Sequence, residues 1–161
     1  MYLGWLVSVL VLVPNLIFFK FLTARSSPKS QGSSKSSVMK LMEYLERIGQ
    51  VGVFAIPFIY QTSVQTVLQK ISLSVMIVFL LIYYVAWLRF FLKGRQYLLL
   101  YSPLMGLPLP MVVSPIAYFL AASVFLNSWF LGVFAVVLAI GHIYISKVES
   151  ERLACQHQRQ D

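Results

Sequence analysis

From Ile71 to Leu88 the chain reads ISLSVMIVFLLIYYVAWL without a single charge, and Arg89, Lys93 and Arg95 follow at once. A helix rises ~1.5 Å per residue, so this run is long enough for a hydrocarbon core of ~30 Å. Tyr83, Tyr84 and Trp87 stand where an interfacial aromatic belt belongs, and the basic cluster marks a cytoplasmic end. In hydrocarbon a segment must satisfy its own backbone polar groups, which leaves helix as the conformation. The expectation for the whole chain is an all-α, polytopic integral membrane protein.

The remaining segments fit that expectation. Only 11% of residues are charged, against about 25% in an ordinary soluble domain. Five spans are predicted, at about 2–22, 46–66, 71–92, 108–126 and 129–146, forming a single membrane domain over 1–161. In the first, Pro14 removes a backbone donor and frees a carbonyl, so a kink is expected, and Asn15 beside it needs a partner on another helix. A serine-rich basic linker over 23–37 is too polar to bury a core. The chain then starts an amphipathic helix near Val38: Lys40, Glu43, Arg47 and Gln50 share one face, and Leu41, Leu45, Ile48 and Gly52 line another. Its apolar continuation, Ile48–Tyr60, is short for a span and contains Pro57.

Between Gln96 and Ser146 there is no Asp, Glu, Lys or Arg, with Asn127-Ser128 as the one plausible turn. Pro103, Pro108 and Pro110 predict an irregular entry and then a helix from about Met111. In the last span Ser128, Gly132, Ala135, Ala139, His142 and Ser146 recur at helical spacing, a small-residue face predicted to pack inside the bundle. A polar tail, 147–161, closes the chain and carries the lone Cys155.

Charge sets the orientation. With the N-terminus outside and the C-terminus inside, every basic residue except Lys70 falls on the cytoplasmic side. The net charge of +8 is thus a topology signal, and no nucleic-acid partner is expected. Short loops and the absence of a glycosylation sequon fit a bacterial inner membrane.

Chemistry-bearing residues are sparse. No HExxH, Cys/His cluster or phosphate-binding glycine loop occurs, and no acid lies between Arg47 and Lys147, so a Ser-His-Asp arrangement lacks its acid. Neither a metal, a cofactor nor a set of catalytic residues is expected. Arg89, Lys93, Arg95 and His142 are the candidates for holding an anionic lipid head group at the cytoplasmic face. Asn15, Gly132, Ala135 and Ala139 are the candidates for helix packing, and Glu46-Arg47 reads as a solvated pair. The functional expectation is a non-enzymatic accessory or regulatory component that binds a membrane-protein partner. A carrier or lipid-binding protein, and an enzyme on a lipid-linked substrate with His142 as base, are the alternatives.

Overall fold

The computed structural model describes residues 4–22, 36–94, 98–104 and 106–157, and among them the chain is helical, with no strand. The helices are α1 (Trp5–Leu22), α2 (Ser37–Ala55), α3 (Val67–Leu92), α4 (Leu98–Tyr101), α5 (Pro110–Phe125) and α6 (Trp129–His157). Most of the linker over 23–37 lies outside the described residues, but its Ser36 hydroxyl caps α2 by accepting the Val38 N–H.

Local chemistry explains the boundaries. α2 is one helix from the amphipathic segment through Ala55. Pro57 has no N–H to continue it; the chain tightens into a 3-10 turn over Ile56–Ile59 and then extends to Thr66. There a capping box, Thr66 with Gln69, satisfies the first donors of α3. α3 ends at Gly94, whose φ of +76° suits a residue without Cβ. The proline-rich entry forms a tight turn, with Leu104 and Leu107 exchanging backbone hydrogen bonds, before α5 starts on Pro110. α6 does not stop at Ser146; it runs to His157, so much of the polar tail is helical.

α2 and α6 run antiparallel in the closest contact of the bundle. A Cβ on Gly49 would sit 2.5 Å from the Leu138 backbone, and one on Gly141 would sit 2.6 Å from the Glu46 nitrogen. Gly52 meets the Phe134 ring in the same way. α3 packs along α5, and α5 along α6. The core of these contacts is Val53, Phe90, Phe119, Ala122, Leu131 and Ala135.

α1 buries Val7 and Val11 in this core and is tied in by hydrogen bonds that use its carbonyls and those of α2. Pro14 leaves the Leu10 carbonyl without its helical donor, and the Tyr84 hydroxyl donates to it at 2.8 Å. Pro57 likewise frees the Val53 carbonyl, and the buried Ser8 hydroxyl donates near it, 3.4 Å from Val53 O and 3.0 Å from Phe54 O. Tyr118 donates to the Val7 carbonyl at 3.0 Å.

Two faces differ from the expectation. On α2 it is Gly49, Gly52 and Val53 that are buried, while Leu41, Ile48 and Val51 face outward. On α6 Leu131, Leu138 and Gly141 share the buried side with Ser128, Ala135 and Ser146. The reason is common to both. On both helices close backbone approach at small residues, Gly49 and Gly52 on α2 and Gly141 on α6, decides the packed face.

α3 and α6 (over Trp129–Leu153) are long and apolar enough to cross a membrane, and most of each apolar window is left uncovered by the rest of the chain. α5 is shorter, its 16 residues rising about 24 Å at ~1.5 Å each.

Candidate ligand cavity

The tight α2–α6 seam brings Glu46 to His142. The histidine Nδ1 stands 2.5 Å from Glu46 Oε1, and the glutamate side chain is 17% exposed. A carboxylate only accepts hydrogen bonds, so the proton between them belongs on Nδ1, and in the neutral ring Nε2 is then an acceptor. Gln50, one turn along α2, donates from Nε2 to the same Oε1 at 3.4 Å. One carboxylate oxygen thus orients two side chains.

Both of those side chains line a cavity of about 480 Å³ to which all six helices contribute. That volume lies within the ~300–1,000 Å³ of small-molecule sites. Its polar groups are Asn15, Gln50, Tyr83, Tyr101, His142 and Ser146. The apolar part includes Phe54, Trp87 and Phe119, with Phe54 and Phe119 edge to face at 5.6 Å. Asn15 donates to the Val11 carbonyl at 3.3 Å, and its side chain and that of Trp87 both interact with the Tyr83 hydroxyl. Tyr101 sits where burial, and after it the carboxylates of Glu149 and Glu46, hold its hydroxyl above the usual phenol range. It therefore stays a neutral donor.

The sequence-derived candidates are distributed unevenly around this site. His142 and Asn15 line the cavity; Arg89 and Lys93 are not among its lining residues. Arg89 Nη1 donates to the Pro103 carbonyl at 3.0 Å, tying the end of α3 to the proline-rich turn, and Lys93 is exposed at the α3 terminus. Arg95 lies outside the described residues. Ala135 is fully buried, and Gly132 and Ala139 are half-buried, with Gly132 facing the Ser123 side chain.

Three readings of single residues change. Glu46 is not a solvated partner of Arg47, because the α2–α6 register turns it onto His142. The acid missing between Arg47 and Lys147 stands one residue before Arg47. Tyr83 and Trp87 are not belt residues facing head groups; their spacing puts them on one face with Phe90, and all three are buried. Tyr101 and Gln50 had no sequence signal of their own. For Glu46 there was one, its place in a Met42, Glu46, Gly49, Val53 stripe that follows the small residues of α2.

Chemically, an imidazole oriented by a carboxylate accepts a proton or a hydrogen bond from a ligand. Among the described residues no group of three His, Cys, Asp or Glu side chains stands close enough to share a metal ion. No known protein family, curated protein or solved structure matches this chain.

Proposed function

We propose that this chain is a polytopic protein of a bacterial cell membrane that binds a membrane amphiphile in the cavity between its helices. In this reading α1, α2 with its 3-10 turn, α3, α5 and α6 are the five spans, with the N-terminus outside and the C-terminus cytoplasmic. Support for the membrane setting comes from the outward apolar side chains, among them Leu16, Ile77, Leu81, Leu88 and Phe130, and from basic residues gathered on one side.

The observation that carries the binding reading is the composition of the cavity. Six polar side chains from α1, α2, α3, α4 and α6 converge on a space otherwise walled by aromatic and aliphatic groups. A component acting purely through its outer helix faces has no use for such a space, whereas an amphiphile needs both kinds of wall.

Trp87 reports on the test. It lines the cavity and is nearly buried, while Trp5 and Trp129 face outward. In the Trp5→Phe/Trp129→Phe protein, reconstituted with lipids brominated on the acyl chain, Trp87 fluorescence should be strongly quenched. Emission as bright as in unbrominated lipid would remove the binding reading and favour the accessory role.

A further inference from the structure

We infer that the cavity selects an uncharged, hydroxyl-rich head group, a sugar or polyol carried on a lipid, over a phosphate. The inference rests on the amphiphile-binding reading above and deepens it.

The electrostatics come first. Among the described residues no Lys or Arg lines the cavity; Arg89 donates to the Pro103 carbonyl and Lys147 is exposed. The charged group directly behind the wall is the Glu46 carboxylate. With His142 neutral, a phosphate there would face an unopposed negative charge; with His142 protonated, it would face a pair already neutral. Neither state supplies the fixed cation that buried phosphate sites use.

Hydrogen-bond polarity points the same way. Glu46 Oε1 takes the Nδ1–H of His142 and an Nε2–H of Gln50. What those two side chains have left among the described residues is the imidazole Nε2, an acceptor when the ring is neutral, together with the Gln50 carbonyl oxygen and its second Nε2–H. Such a mixed set needs a ligand that both donates and accepts. A hydroxyl does both; a phosphodiester group only accepts. The Tyr101 and Ser146 hydroxyls and the Asn15 amide add groups that both give and receive, and the faces of Trp87 and Phe119 provide apolar walls for a ring. Amides, hydroxyls and aromatic faces without a fixed cation suit a neutral polyol.

The test uses the full chain in nanodiscs and two lipids with identical acyl chains, a monoglucosyl diacylglycerol and phosphatidylmethanol, an anionic phosphodiester without hydroxyls. Trp87 emission in the Trp5→Phe/Trp129→Phe background reads binding. The glucolipid should bind about tenfold more tightly than phosphatidylmethanol, and Gln50→Leu should weaken its binding about three- to tenfold, the loss expected for one hydrogen bond. Gln50 is exposed on α2, so its replacement leaves the packed seam intact. Equal or tighter binding of phosphatidylmethanol, or a Gln50→Leu protein that binds the glucolipid normally, would overturn the head-group inference and leave the cavity reading standing. Binding of neither lipid would overturn both.

Discussion

His142 Nδ1 lies 2.5 Å from Glu46 Oε1, joining two helices through residues 96 positions apart in the chain. The pair exists because Gly49 and Gly141 let the α2 and α6 backbones approach closely enough for a glutamate to reach across. The same contact that holds the bundle therefore builds one wall of the cavity.

Breaking that pair from either side should leave a half-buried polar group without its partner. Glu46→Ala and His142→Ala are each expected to destabilise the protein by about 1–3 kcal/mol. The double variant should lose clearly less than the sum, because both singles remove one interaction. Equilibrium unfolding of the four proteins in mild detergent measures the coupling, and additive losses would show that the two side chains do not interact.

Pro14 and Tyr84 form a second testable unit. Tyr84→Phe removes the donor to the Leu10 carbonyl and should cost about 1 kcal/mol. Pro14→Ala restores a helical N–H that can take over the same carbonyl, so Tyr84→Phe should cost less in that background. The difference between the two costs, read from the same unfolding measurement, is the share of the tyrosine that exists to serve the proline.

Glycine at the seam is a steric requirement. A methyl at Gly49 or Gly141 would press on backbone atoms, which cannot swing away as a side-chain tip does. Gly49→Ala and Gly141→Ala are expected to destabilise by about 1–3 kcal/mol, the usual range for overpacking. Gly106→Ala removes a glycine with open space around it but a φ of +81°, so any loss there is one of backbone strain. A bundle that tolerates Gly49→Ala without change in melting temperature would contradict the packing described for α2 and α6.

Tyr101 predicts an alkaline response. Burial, with Glu149 and Glu46 nearby, raises its hydroxyl above the usual phenol range, so the folded protein holds that proton more tightly than the unfolded chain. Its contribution to stability is full below the ordinary tyrosine pKa and is lost as pH rises through the higher folded value. Melting temperature against pH should therefore fall less steeply at the alkaline end in Tyr101→Phe than in the parent protein.

The helical architecture was legible because charge is so scarce between Gln96 and Ser146 and because Ile71–Leu88 has no charge. Pro14 and Pro57 were legible as interruptions, since a missing N–H is a property of the residue itself. The partners of their freed carbonyls, Tyr84 and Ser8, were not, because they depend on which helices become neighbours. Glu46 was hidden for a related reason. Beside Arg47 on an amphipathic turn it looks solvated, and the register of α2 on α6 is what assigns it to His142. The aromatic run over Tyr83–Trp87 marked a helix end in the sequence, yet its i and i+4 members turn inward to the cavity. Sequence spacing gives the faces of a helix, and packing decides which face goes inside.

Native mass spectrometry of the protein extracted in mild detergent tests the cavity most directly. The expected spectrum shows one retained lipid per chain, with that adduct lost in Leu12→Phe/Leu100→Phe, which adds bulk from two cavity walls. A parent protein that flies without lipid, or an adduct that survives the filled cavity unchanged, would contradict a ligand-binding role for the space between these helices.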